Sequence, residues 1–426
     1  MKIQPIISAG KQRRIMVLTG EPSGDFHAGA LIRAMQRMDP CLDICGIGGP
    51  CMRDSQVDIF FPIERLSAMG LTEVIFQFKH IKQAFDSFKY RLRTHPPDLI
   101  ILIDYPGFNL RAAQYAKQKF NIPIFYYIPP KVWAWKESRL KQIKLYVDHA
   151  ALIFPFEEKL YKKAKIPSTY VGNPLMDDYP ENLAKPFYRR SRLTGPPSFI
   201  GSGLVETALI KSGLMKSGGA CLDQKEPKGP VIGLLPGSRR AEITNLLDIM
   251  LKAALKINGQ KKSARFLISA ASSLHSELID KILSPYHHTG LFEVVQGRPM
   301  EIFKRSDLLI AASGTVTLEA ALCCLPTIII YKISPISHKI AKLLIKIKYA
   351  GLANLIAGRE VMPELLQYDV TPEKISQRAF FMLKNLGDHE NQLLVVRKLL
   401  GAPGASKRAA RIALDLVKLD FIKRAK

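Results

Sequence analysis

Short apolar runs rich in β-branched residues recur along the chain, and after most of them apolar residues return every three or four positions. In the first half the runs are RIMVLTG (14–20), DICGIGG (43–49), DLIILID (98–104), IPIFYYI (122–128) and ALIFPFE (151–157). Helical patterns such as HAGALIRAMQRM (27–38) and AAQYAKQKF (112–120) lie between them. A run that stays apolar at consecutive positions fits a strand covered on both faces, because successive side chains point to opposite sides. Strands alternating with helices predict an α/β fold with a parallel, doubly wound sheet. ALIFPFE reads as the last strand of this half and YVGNPLMDDYP (170–180) as its exit loop.

Residues 180–229 break the rhythm with Gly, Ser, Pro and Lys and read as a linker plus a surface insertion. The alternation resumes with VIGLLPGSR (231–239), a helix near 241–257, RFLISAA (265–271), FEVVQG (292–297), DLLIAASG (307–314) and LPTIIIY (325–331). The expected organisation is a Rossmann-like domain over 1–179 and a second over 230–370. A helical, basic tail over 371–426 is expected to pack back toward the first domain. Two such domains put a ligand cleft between them, at the carboxyl ends of their strands. A length of 426 residues also exceeds the usual size of one core.

Charge changes this picture more than composition does. The chain carries 62 Lys and Arg against 37 Asp and Glu, a net charge of +25. Such a surface favours polyanions. The sequence holds no zinc-finger spacing and no aromatic RNA-binding strand, which points to an anionic membrane surface or a phosphorylated substrate rather than nucleic acid. No apolar run approaches the roughly 20 residues that span a bilayer. The apolar patch in MKIQPIISAGKQRR is too short for a signal peptide, so a cytoplasmic location is expected. The six cysteines form no CxxC pair, and core thiols are expected rather than zinc or disulfides.

Candidate chemistry sits where apolar runs stop. GEPSGD (20–25) follows the first strand; its small residues admit a ligand and Glu21 and Asp25 offer carboxylates, unless the segment is a tight turn with Asp25 as a helix cap. Asp104 ends DLIILID, where α/β clefts do chemistry and burial raises a carboxyl toward base duty; the alternative is an Asx-turn before Pro106. Pro236-Gly237-Ser238-Arg239 supplies a tight turn and a guanidinium that can fork onto a diphosphate. Leu308–Ala312 halts at Ser313-Gly314-Thr315, with Glu319 a turn further on, and so delivers a strand into a helix N-terminus suited to phosphate. No Asp-x-Asp is present to hold magnesium, and arginine with a helix dipole would neutralise a leaving diphosphate without metal. Residues 337–353 place Lys339, Lys342, Lys346 and Lys348 beside Ile340, Leu343, Leu344 and Ile347. That is the pattern of an interfacial amphipathic helix, or of a core-facing helix with a solvated rim. Trp133 and Trp135 line an acyl or sugar site or plug a domain corner.

Taken in order, GEPSGD (20–25), GIGGPCM (46–52), LSAMGLTEVI (66–75), IDYPGFN (103–109), PPKVWAWKESR (129–139), FPFE (154–157), YVGNPLMD (170–177), LLPGSRRAEI (234–243), ASGTVTLEAAL (312–322) and NLIAGREVMPELLQ (354–367) resemble the lipid-A-disaccharide synthase family. These are inverting glycosyltransferases of the GT-B type. The resemblance implies transfer of 2,3-diacylglucosamine from UDP-2,3-diacylglucosamine to 2,3-diacylglucosamine 1-phosphate, without a cofactor, by an enzyme peripherally bound to the inner membrane. It implies Asp104 as the base, with Glu21, Ser23, Gly24 and Asp25 in the N-terminal cleft loop and Trp133 near the substrate. Ser238, Arg239, Ser313, Gly314, Thr315, Glu319 and Asn354 fall on the UDP side, and the lysines of 337–353 on the membrane. The sequence departs from the pattern at Gly107, where many relatives carry a second acid, at Ala353, where Pro is frequent, and in the length of 180–229. Rival readings are a nucleotide-sugar epimerase, another GT-B enzyme of cell-wall lipids, and a basic membrane-binding module.

Overall fold

The computed structural model of the chain describes residues 13–66, 74–132, 137–179, 229–270, 273–332 and 348–424. Contacts divide the chain into two compact units. The first runs to Asp178 and regains the chain from Leu400 onward; Tyr179 to Leu399 supplies the described part of the second.

In the first unit the strands are β1 (Arg13–Leu18), β2 (Leu42–Gly48), β3 (Asp58–Pro62), β4 (Leu99–Ile103), β5 (Ile124–Tyr127), β6 (His149–Leu152) and β7 (Ser168–Tyr170). They form one parallel sheet in the order β3-β2-β1-β4-β5-β6-β7. All five residues of β4 are buried, as a strand covered on both faces requires. The last strand is β7 rather than ALIFPFE, whose second half leaves the sheet after Leu152. At three residues β7 is too short to show a period, which is why the chain there reads as a loop.

In the second unit β8 (Val231–Leu235), β9 (Arg265–Ala270), β10 (Phe292–Gln296), β11 (Leu308–Ala312), β12 (Thr327–Tyr331) and β13 (Glu364–Leu366) form a parallel sheet ordered β10-β9-β8-β11-β12-β13. Every residue of β8 and β11 is buried. In both sheets the strand order reverses beside the first strand, between β1 and β4 and between β8 and β11. Loops at the carboxyl ends of such a pair diverge to opposite faces and leave a crevice, where ligands of open α/β sheets bind.

The helices that matter for the site are α1 (Pro22–Met38), α2 (Pro50–Arg53), α3 (Pro106–Phe120), α4 (Arg240–Gln260), α5 (Thr315–Leu322), α6 (Leu352–Ala357), α7 (Leu386–Leu400) and α8 (Ala405–Arg424). Contacts divide the basic tail: α7 stays with the second unit through Leu399, whereas α8 packs on α1, β4 and β5 of the first. The alanines of α8 at 405, 409, 410 and 413 are fully buried and permit that close approach.

Three expectations need correction or lie elsewhere. Helix does not continue through 348–353, because Lys348–Gly351 is irregular and a new helix starts at Leu352 after Gly351. Of the five described cysteines Cys323 and Cys324 are buried, Cys41 is exposed and Cys45 and Cys51 are half-buried, while Cys221 lies outside the described residues. Trp133, Trp135, Lys339, Lys342, Lys346 and 180–228 lie outside the described residues. Among the described residues no helix is long and apolar enough to cross a membrane.

Candidate active site

At the β1/β4 switch point, Asp104 follows β4 in the left-handed region (φ 49°), and Tyr105 after it shares that conformation (φ 43°). Each costs a non-glycine residue about 1 kcal/mol or more, so surrounding bonds must hold the pair. Asn109, fully buried in the first turn of α3, shares its amide hydrogens among Leu18 O (3.4 Å), Ile103 O (3.2 Å) and Asp104 O (2.7 Å). One side chain therefore ties the ends of β1 and β4 to the backbone of Asp104. The phenol of Tyr126 on β5 donates to the same Asp104 carbonyl at 2.8 Å. Burial, with the Asp104 charge adding to it, pushes this phenol well up, which keeps it a donor.

Burial raises the carboxyl of Asp104, against the opposing pull of Lys131 and of the Tyr105 N–H. A half-buried carboxylate with a raised affinity for protons, on a loop braced from three sides, is suited to accept a proton from a hydroxyl.

The GEPSGD loop abuts this one. Helix α1 starts inside the motif, with Glu21 as its N-cap residue and Pro22 in its first turn. Glu21 and Ser23 are exposed and Gly24 is buried. The charge of Glu21 helps burial to raise the Tyr105 phenol, which places the two loops side by side. Asp25 is 2% exposed and fully engaged: Oδ1 accepts the N–H of Gly49 (2.7 Å) and Met52 (3.3 Å), Oδ2 that of Cys51 (2.8 Å). It caps α2, which has no side-chain cap of its own from Gly49. Asp25 is therefore a brace between α1 and α2, and the helix it caps is not its own.

At the β8/β11 switch point the second unit holds a cavity of about 300 Å³ lined by Gly237, Ser238, Arg239, Ser313, Gly314 and Thr315 among others. Gly237 adopts φ 111°, a turn open only to glycine at low cost. The Arg239 side chain is 70% exposed and pairs with Glu242 at 3.5 Å. Glu242, also in the cavity wall, accepts the N–H groups of Ser238 (3.1 Å) and Arg239 (3.3 Å) and so shapes the loop that carries the guanidinium. The sequence signal for this residue is the capping-box spacing from Arg239 to Glu242 at the start of α4.

Opposite, Ser313-Gly314 follows β11 and α5 begins at Thr315, with no side-chain cap and no acid in its first turn. Its N-terminus thus carries partial positive charge into the cavity without a side chain to neutralise it. Ser313 is anchored by its hydroxyl to Ala350 O at 3.4 Å. Glu319 is not in the cavity wall; it lies four residues beyond Thr315, on the same side of the helix. Its Oε2 accepts the Tyr179 hydroxyl at 2.6 Å; burial raises this carboxyl, and the bond from Tyr179 opposes the rise.

The Asn354 side chain is spent on bonds within the second unit. It is fully buried in α6, its amide donates to Met362 O and Glu364 Oε1 (both 2.7 Å), and its oxygen accepts Val361 N–H (2.8 Å) and Met362 N–H (2.9 Å). Four bonds exhaust an amide, so its assignment to substrate gives way to a structural one. Glu364, missed in the sequence, accepts the Ala350 and Gly351 N–H groups and caps α6. Lys348 is exposed, its ammonium 5.2 Å from the ring centre of Tyr349. Among the described residues no group of three or more His, Cys, Asp or Glu is placed to hold a metal ion.

Two doubly wound units, each with its loops gathered at a switch point, have the architecture of the GT-B fold. Solved structures of that architecture match the chain: a UDP-GlcNAc 2-epimerase from Neisseria meningitidis bound to UDP-GlcNAc (TM-score 0.59, 12% identity, 95% of this chain and 100% of that one). A second is the glycotransferase of kitacinnamycin (TM-score 0.58, 11% identity, 96% and 99%). At such identities they speak for the fold alone. The family model described as lipid-A-disaccharide synthetase matches residues 15–192 and 183–414. Lipid-A-disaccharide synthases of Trichlorobacter lovleyi (36% identity, 96% of this chain, 99% of the relative) and Coxiella burnetii (34%, 95% and 99%) match nearly end to end. The chain belongs to the lipid-A-disaccharide synthase family and is a glycosyltransferase.

Proposed function

We propose that the protein transfers 2,3-diacylglucosamine from its UDP donor to 2,3-diacylglucosamine 1-phosphate, giving the β-1′,6-linked disaccharide 1-phosphate and UDP. The observation that carries this reading is the match of about 95% of the chain to relatives bearing the name lipid-A-disaccharide synthase, each covered over almost its full length.

Asp104 accepts the proton of the acceptor 6-hydroxyl as that oxygen attacks the anomeric carbon. The bond from that carbon to the diphosphate oxygen breaks on the opposite face, so the configuration inverts and UDP leaves. Arg239 and the N-terminus of α5 take up the charge on the departing diphosphate, which leaves no step that needs a metal. Glu319 accepts from the ribose. Glu21 and Ser23, exposed on the loop beside Tyr105, contact the acceptor. The net charge of +25 supports peripheral binding to the anionic inner leaflet, with Lys348 one of the contacts.

The test is to incubate the purified protein with both lipid substrates in mild detergent and EDTA and follow the products by mass spectrometry. A tetraacyl disaccharide phosphate with UDP is expected. UDP binding without that product would overturn the acceptor assignment, and product only after magnesium is restored would overturn the metal-free step.

A further inference from the structure

We infer that Tyr179 is a positioning residue for Glu319, its phenol fixing the carboxylate so that one oxygen is presented to the ribose hydroxyls of the nucleotide. The inference rests on the donor-site reading above and goes beyond it by assigning a residue with no place in that reading.

Tyr179 opens the second unit, lies 140 residues before Glu319 and is 8% exposed. Its hydroxyl donates to Glu319 Oε2 at 2.6 Å, the length of a charge-assisted bond. Its backbone is held as well. Arg397 of α7, itself 8% exposed, donates from Nη2 to Tyr179 O (2.7 Å) and from Nη1 to Leu322 O (3.1 Å), the last residue of α5. One guanidinium therefore ties the residue that carries the phenol to the helix that carries the carboxylate. Its planar fork and permanent charge make that spacing rigid.

A half-buried carboxylate with nothing to fix it can present either oxygen or take up a proton. Here Oε2 is committed to Tyr179, no hydrogen bond to Oε1 is present among the described residues, and Glu319 follows by one turn of α5 the Thr315 that lines the cavity. Tyr179 also opposes the rise that burial imposes on this carboxyl, which favours the ionised, accepting form. A site built this way discriminates by hydroxyl groups, because a nucleotide without them leaves the carboxylate unpaired.

Calorimetry on the full chain tests the assignment with UDP and 2′,3′-dideoxy-UDP as probes, in the native protein, Tyr179→Phe, Glu319→Gln and the double variant. Tyr179→Phe is expected to weaken UDP about tenfold while dideoxy-UDP binding stays the same, and to add nothing in the Glu319→Gln background. Equal weakening of both nucleotides, or additive losses, would make Tyr179 a packing residue and overturn the inference. If Glu319→Gln loses the preference for UDP and Tyr179→Phe keeps it, the inference alone fails. If Glu319→Gln keeps the native preference, the ribose reading fails and takes the inference with it.

Discussion

The ring of Tyr105 fills the space that a side chain at residue 20 would need: a Cβ built on Gly20 falls 2.1 Å from Tyr105 Cδ1 and 2.2 Å from Cγ. The ring sits on the residue after Asp104, so this contact joins the loops after β1 and β4 at the point where the proposed base is held. Gly20→Ala must push the ring aside and disturb the left-handed pair. It is expected to lower kcat at least about tenfold while leaving the affinity for UDP, proposed above to bind the second unit, unchanged. Loss of UDP binding in that variant would show that the damage is general.

Asp104→Asn separates chemistry from architecture. Asparagine tolerates φ near 49° as well as aspartate does, so the backbone stays. Loss of the base should cost roughly 10²–10⁴ in turnover. Because burial raises the Asp104 carboxyl, the folded state binds this proton more tightly than the unfolded chain. Its contribution to stability is present at low pH and disappears as pH rises through the folded value, so at neutral pH the charged form is a burden that the amide removes. The melting temperature of Asp104→Asn is therefore expected to stay level or rise. Native turnover, or a clear drop in melting temperature, would contradict this.

The same rise has a kinetic signature. The base must be ionised, so kcat/KM of the native enzyme falls as pH drops through the Asp104 value, and the midpoint lies above the ordinary aspartate range near 4. A pH profile flat down to the ordinary range would remove Asp104 from that role.

Arg239→Ala should act on the donor. The side chain is 70% exposed and its ion pair with Glu242 is also partly open to water, so stability should change by no more than about 0.5 kcal/mol. Donor KM is expected to rise about tenfold or more, read from initial rates at varied donor. Unchanged donor kinetics would leave the diphosphate to α5 alone.

Asn354→Ala should act on folding. It removes two donors and leaves the N–H groups of Val361 and Met362 without their acceptor. The expected loss is about 2–4 kcal/mol, seen as a lower midpoint in urea. A variant of native stability that no longer bound UDP would return Asn354 to the ligand.

The parallel sheets were legible because β4, β8 and β11 stay apolar at every position, and the loops that follow them were legible because each run stops abruptly at Asp104, Gly237 or Ser313. What stayed hidden depends on partners far along the chain. Asn109 meets Leu18 across 91 residues, Arg397 meets Tyr179 across 218, and no local pattern announces either. Asp25 stayed open between two roles and Asn354 was given to the ligand for one reason: a polar residue inside a motif looks available until its backbone partners are known. Strands β7 and β13, three residues each, are too short to carry a period.

Helix α8 closes the first unit with residues that lie beyond the whole of the second. During synthesis at about 5–20 residues per second, the leading half therefore waits on the order of ten seconds or more for its last buried layer. Until Ala405 and the residues after it leave the ribosome, α1, β4 and β5 keep an uncovered apolar flank, while Tyr179 to Leu399 can already fold. The unit that starts first finishes last.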